Sequence, residues 1–310
     1  MPLVATWEQK MQTPTKHDNK IKHGIFAALG AYGVWGVFPL FFRLLDGVGA
    51  PTIVAHRVVW SLVFVGIILK AQGRMGEVWA AFKDRRAIRI IFISALLLAL
   101  NWLVFIWAVE NDKVLDVSLG YFINPLVNVA LGMMFLGEKQ NRWQWVAIII
   151  AIIAMIIQSM GLGSFPLVAL TLAISFGVYG YLRKTVSVGS APGLFIETLL
   201  MLPFALIYLA YVIYSFGFGA HADPLKLTYL VLTGPITAGA LLMFAFAARR
   251  LRLTTIGMFQ YIAPSLHFLT AVYIFGEELN GLRLASFALV WLSLLIFSLD
   301  SIFPTKKKTA

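Results

Sequence analysis

Residues 121–138 read YFINPLVNVALGMMFLGE, and residues 260–277 read QYIAPSLHFLTAVYIFGE. Pro125 falls on Pro264 and Gly137-Glu138 on Gly276-Glu277, all at one offset. A shift of nearly the same size carries Arg43 onto Arg183 and Arg57 onto Glu197, with apolar segments in register between. A duplication inside an apolar chain points to a transporter built from two related halves.

Composition places those halves in a bilayer. Of 310 residues 60% are hydrophobic and 13% charged, and the mean hydropathy is +0.85; a water-soluble fold has no surface on which to hide so much apolar material. Ten stretches are long enough, or nearly so, to cross a hydrocarbon core about 30 Å thick: 24–44, 52–69, 90–109, 117–136, 143–160, 165–182, 193–215, 228–248, 255–275 and 282–302. They lack the alternation of an outer-membrane barrel strand, which leaves helices as the spanning solution. The expectation is an all-α polytopic membrane protein of ten transmembrane helices in two inverted five-helix repeats. The repeats are 23–160 and 161–302, with a tail at 1–22 and a basic tail at 303–310. Inversion follows from the odd number, because five crossings per repeat send the second into the membrane upside down.

Charge orients the bundle. Lys and Arg gather in the N-terminal tail, at 70–89, at Lys139 and Arg142, at Arg183 and Lys184, at Arg249, Arg250 and Arg252, and at 306–308. The opposite loops hold Lys113, Lys226 and Arg283 among Asp46, Glu110, Asp112, Asp116, Asp223, Glu277 and Glu278. By the positive-inside rule both termini are cytoplasmic. Topology thus absorbs the net charge of +11, and no nucleic-acid partner is implied. The first 22 residues have no apolar run or small-residue cleavage site, unlike a secretory signal. The absence of cysteine excludes disulfides, thiolate metal sites and thiol catalysis.

The ten-helix plan, the Pro-to-Gly-Glu phrase and the strings AHRVVWS, NWLVFIWAV, SLGYFINPLVNVALGMMFLGE and RLRLTTIGMFQYIAPSLHF resemble the EamA family of the drug/metabolite transporter superfamily, and within it the RarD group. The resemblance spans about residues 22–302. It implies a multi-pass permease of the bacterial inner membrane for amino acids, metabolites or drugs, with no cofactor and no metal.

Candidate substrate-binding residues follow from helical spacing. Tyr121, Asn124 and Asn128 recur on one face, as do Gln260, Pro264 and His267, beside Tyr261. Each polar stripe adjoins a kinking proline, Pro125 or Pro264, as at a midplane site made of broken helices. The alternative is that these groups only bond neighbouring helices. Asn101 and Trp102 in the third segment, Trp35 in the first and Tyr179 in the sixth complete the expected cavity, whose aromatic walls suit a flat amphipathic molecule. Trp143, Trp145 and Trp291 read as interfacial belt residues. Gly30, Gly33, Gly36, Gly177 and Gly180 read as close packing or hinges.

Charges inside a span need a reason. Arg57 and Glu197 lie about 8 Å into their helices from opposite ends and are read as gating or proton-coupling groups. Glu197 and His267 are the intramembrane groups placed to titrate, so expected coupling is to protons, with facilitative transport and Glu197 ionised against a cytoplasmic Arg as the alternative. His56 is a helix-end hydrogen bonder or a proton relay. The unbroken apolar fifth and tenth segments suit lipid or a homodimer contact. A channel-like pore is the competing function; an intramembrane enzyme is not expected, since the five histidines are scattered and no HExxH or GxSxG string occurs.

Overall fold

The structure is a computed structural model describing residues 16–110, 114–160, 167–274 and 281–302. Twelve α-helices occupy them: α1 (Lys16–Arg43), α2 (Ala50–Ala71), α3 (Met75–Lys83), α4 (Arg85–Glu110), α5 (Val114–Leu136), α6 (Arg142–Ser159), α7 (Leu167–Thr185), α8 (Ser190–Phe216), α9 (Pro224–Ala248), α10 (Leu253–Gln260), α11 (Ile262–Tyr273) and α12 (Gly281–Ile302), with one 3₁₀ turn at Gly219–Ala222. No strand occurs among the described residues. All ten apolar stretches fall on these helices, and six helices are individually long and apolar enough to cross a membrane. The Gly276-Glu277 half of the repeated phrase lies outside the described residues, as do the tails at 1–15 and 303–310.

Local chemistry sets the helix ends. Asp84 accepts from the Arg86 and Ala87 N–H groups (2.9 and 3.0 Å) and Asp223 from Leu225 and Lys226, filling donors that the first turn leaves open. The Ala87 N–H holds the Asp84 carboxyl below its ordinary range. Asn141 and Gln144 form a reciprocal capping box on α6. In the ninth segment the helix breaks at Tyr261, because Pro264 has no N–H for the Gln260 carbonyl and its ring crowds that turn. Pro125 sits inside α5, which continues unbroken around it.

Packing arranges the helices in related pairs. Helix α5 lies against α7, and α1 against α11; α4 lies against α7, and α1 against α9; α2 lies against α9, and α4 against α8. Three further pairs, α2 with α8, α5 with α10 and α6 with α12, complete the bundle. Backbones touch where side chains vanish: a Cβ on Gly257 would stand 2.6 Å from the Pro125 carbonyl oxygen, and one on Gly234 would strike Trp60. Among the glycines read from sequence, Gly36 lies under Leu266 and Gly177 under Val127, whereas Gly33 faces nothing within 4 Å.

Helices α6 and α12 join through the buried alanines Ala147, Ala151 and Ala154 against Phe287, Val290 and Phe297, and Ser293 donates to the Ala147 carbonyl at 2.7 Å. Their outer faces present Ile149, Ile153, Ile156, Leu292, Leu295 and Leu299. Such an apolar exterior is stable in lipid and not in water. Trp143, Trp145 and Trp291 are on the exposed surface.

Candidate functional site

A cavity of about 430 Å³ is walled by α1, α2, α4, α5, α7, α9, α10 and α11. Its lining runs to Phe42 and Ala50, on either side of the 44–49 connection, and so reaches one end of the bundle. The walls are aromatic: Trp35, Phe38 and Phe42 follow one face of α1, with Trp102 and Phe105 from α4, Tyr121 from α5 and Phe176 from α7. Polar groups enter at a few points. Asn101 Nδ2 donates to the Leu172 carbonyl and Ser175 Oγ (3.0 and 2.9 Å), and Asn124 Nδ2 to the Ala173 carbonyl (2.9 Å). His267 Nε2 lies 3.0 Å from the Trp35 carbonyl, so Nε2 carries the proton and donates. That carbonyl is available because residue 39, four positions on, is proline and supplies no N–H.

Arg57 is the cation of the lining. Its Nε donates to Thr237 Oγ1 on α9 at 2.9 Å, and its guanidinium carbon lies 4.5 Å from the Trp102 ring centroid, with Phe38 and Phe42 at 5.9 and 5.8 Å. The rings and the hydroxyl fix its orientation. At the rim, Trp60 Nε1 donates to His56 Nδ1 (3.1 Å), so His56 offers its other nitrogen to His221 Nε2 at 2.9 Å. His56 is thus a hydrogen-bonded strut from α2 to the 3₁₀ turn.

Away from the 44–49 end the cavity floor is an aromatic plug. Trp35 packs edge-on against Tyr32 and Phe176, Phe176 on Phe244, and Phe244 stacks on Tyr179. Beneath it Glu197, fully buried, receives Ser94 Oγ at 2.5 Å and Tyr179 OH at 3.4 Å, with Arg183 Nη1 at 3.7 Å. Arg183 Nη2 also donates to the Gly189 and Ser190 carbonyls (3.3 and 3.0 Å). Gly193 makes the room, since a Cβ there would collide with the guanidinium.

A layer of staples closes that end. Glu138 accepts from the Leu253 and Thr254 N–H groups (2.6 and 3.0 Å) and from Thr254 Oγ1 (2.6 Å), a carboxylate on the N-terminus of α10. Arg249 Nη1 donates to the Val186 and Val188 carbonyls (2.8 and 2.7 Å), Arg252 to that of Lys139 (2.7 Å), and Lys184 to those of Ala248 and Leu251. On the loop helix α3, Arg74 grips Glu77 with two bonds (2.5 and 2.9 Å), holding that carboxyl below its usual range.

The model of the EamA-like transporter family matches residues 22–160. Protein RarD of Salmonella typhimurium is 43% identical over 93% of this chain and 98% of its own length, and an uncharacterized transporter of Vibrio cholerae is 44% identical over 94% and 96%. The chain belongs to the EamA family, as a RarD-like permease. Chloramphenicol-sensitive protein RarD of Pseudomonas aeruginosa is 30% identical over 90% and 94%. A crystal structure only 15% identical shares the fold with a TM-score of 0.67, covering 91% of this chain and 99% of its own. As an EamA-family protein with several apolar helices, the chain is a multi-pass membrane protein.

In this RarD-like chain the residues singled out from sequence separate into two groups. Trp35, Arg57, Asn101, Trp102, Tyr121, Asn124, Gln260 and His267 line the cavity. Asn128, Tyr179 and Tyr261 do not, which corrects their expected placement, and Glu197, expected as a gating or proton-coupling group, lies beneath the plug beside Arg183. Asn128 is fully buried one turn beyond Asn124, its Nδ2 donating to Asn124 Oδ1 and Gln260 Oε1 (3.1 and 3.0 Å). Tyr179 belongs to the plug. Tyr261, at the helix break, donates its hydroxyl to the Phe122 carbonyl (3.1 Å), on the side away from the cavity. Sequence reasoning missed Phe38 and Phe42, which continue the Tyr32-Trp35 face at helical spacing and were legible there. It also missed Thr237 and Ser94, and it offered a cytoplasmic Arg for Glu197 as an alternative without naming Arg183, since tertiary contact alone brings these in.

Proposed function

We propose that the chain is a secondary carrier of the bacterial inner membrane that moves a small amphipathic or aromatic metabolite or drug by alternating access around this cavity. The observation that carries the reading is the cavity itself: walled by helices of both halves, reaching one end of the bundle, and plugged and stapled at the other. Arg249, Lys184 and Arg252 belong to the side that the positive-inside rule makes cytoplasmic. The conformation is therefore outward-facing, with both termini inside.

The ten helical segments are read as two inverted repeats, 23–160 and 161–302, between the tails 1–22 and 303–310. What supports this is the pairing of neighbours: exchanging the halves turns the contact of α5 with α7 into that of α11 with α1, α4 with α7 into α9 with α1, and α2 with α9 into α8 with α4, while α2–α8, α5–α10 and α6–α12 map onto themselves. A two-fold axis produces such a pattern, and five crossings per repeat place it in the membrane plane. The exposed α6/α12 face is the surface for lipid or a second copy. Glu197, locked to Arg183, is structural in this reading, so His267 is the cavity group through which protons would couple. Uptake into proteoliposomes with and without a pH gradient, in wild type and His267→Ala, tests that coupling.

Counterflow tests the carrier. Proteoliposomes loaded with an unlabelled aromatic substrate should transiently concentrate the labelled compound, with saturable flux. Flux that rises without saturation and shows no counterflow would mean a pore.

A further inference from the structure

We propose that the transported molecule carries an anionic group, a carboxylate or its equivalent, seated on Arg57, with its apolar body against Trp102 and Phe38. The inference rests on the reading of the cavity as the transport site and adds the charge of its substrate.

Intramembrane charge is tolerated when it is paired, and this bundle pairs its other deep cation. Arg183 has Glu197 beside it and two carbonyls to receive it. Arg57 has none of this. Only its Nε is bonded, to Thr237; neither Nη donates to protein, and no carboxylate lies within ion-pair range among the described residues. Among the described residues the lining contains no acidic side chain. The other titratable groups facing the cavity are Tyr32, Tyr121 and His267, none of which supplies a negative charge at neutral pH. The described lining therefore carries a net positive charge.

The orientation is as informative as the charge. Thr237 holds the stem side of the guanidinium and Trp102 covers one face, leaving the planar fork of two terminal nitrogens toward the cavity. That fork matches the two oxygens of a carboxylate. Gln260, whose Oε1 is taken by Asn128, leaves its amide nitrogen as a further donor on the same cavity. An ammonium substrate would meet Arg57 with like charge, and a neutral one would leave the fork unpaired.

Matched probes test the proposal on the purified full chain in detergent, by thermal unfolding, because a ligand of the folded state raises its apparent stability. One series is phenylacetate, phenylacetamide and phenethylamine; the other is cinnamate, cinnamamide and cinnamylamine. In each, the acid is expected to bind at least about tenfold more tightly than its amide, about 1.4 kcal/mol, and the amine not at all. Arg57→Gln, which keeps a donor for Thr237 and removes the charge, is expected to erase the preference, while Arg57→Lys retains it. The proposal is overturned if an amide or amine equals its acid, if the preference survives Arg57→Gln, or if neither acid binds. Binding of an amide or amine that Trp102→Ala abolishes would remove the anion and leave the cavity as the site. Failure of counterflow would instead remove the carrier.

Discussion

Arg57 and Glu197, counterparts in the proposed two-repeat reading, have opposite surroundings. Arg57 on α2 reaches the hydroxyl of Thr237 on α9, and Glu197 on α8 meets that of Ser94 on α4. Glu197 is sealed under the plug with Arg183 against it. Arg57 opens onto the cavity with aromatic rings for company. The same shift that relates them sets Gly193, which makes room for Arg183, against Ile53, which lines the cavity. On the proposed two-repeat reading, the helix neighbours are kept while the polar chemistry within diverges. On the same reading the surroundings of Glu197 are the lock and those of Arg57 the proposed site.

The sharpest way to break this contrast is to delete each charge. Glu197→Ala strands Arg183 without its carboxylate and should lower unfolding stability by about 3–5 kcal/mol, as for other buried pairs that lose one member. Arg57→Ala strands no charged partner, only the Thr237 hydroxyl, and should lose about 0.5–2 kcal/mol with its aromatic contacts while abolishing transport. Equal losses in a denaturant titration of the two variants would erase the distinction between lock and site.

Next in size is the space around the lock. Gly193→Ala drives a methyl into the Arg183 guanidinium and should cost about 1–3 kcal/mol, as overpacking does. Gly33→Ala meets nothing and should be neutral or stabilise by up to about 1 kcal/mol through helix propensity. Thermal melts of the two, side by side, check the prediction.

Smallest is the effect of the polar chain between α5 and α10. Asn128→Ala removes the bonds to Asn124 and Gln260 and should cost about 0.6–2 kcal/mol, with transport falling in proportion to folded protein. His267→Ala, on the cavity, should lose transport beyond any loss of fold. Transport normalised to folded protein separates them, and identical behaviour would mean that depth along the stripe does not matter.

That depth is what sequence could not supply. Spacing put Tyr121, Asn124 and Asn128 on one face of α5, and they share it. How far the cavity follows that face depends on where α10 crosses α5, and the crossing is set by a backbone contact at Gly257 and Pro125. Past that crossing Asn128 meets Gln260 rather than open space. The break near Pro264 was legible because a missing N–H is a local fact. The ion pair of Arg183 was not, because α7 and α8 must fold back on each other before the two side chains can meet. Tyr179, read as a cavity aromatic, instead stacks on Phe244 for the same reason. The plug stands where symmetry alone would suggest a wall.

The central claim, that one half opens its second helix to water while the other buries it, is tested most directly by thiol access. The chain has no cysteine, so single replacements need no altered background. Val54, on the cavity lining, and Leu194, almost fully buried, stand at the same shift as Arg57 and Glu197. With a membrane-impermeant maleimide added to intact cells, Val54→Cys is predicted to be labelled and Leu194→Cys to stay unlabelled until the protein is unfolded. Equal labelling of both, or a silent Val54→Cys beside a reactive Leu194→Cys, would contradict the account.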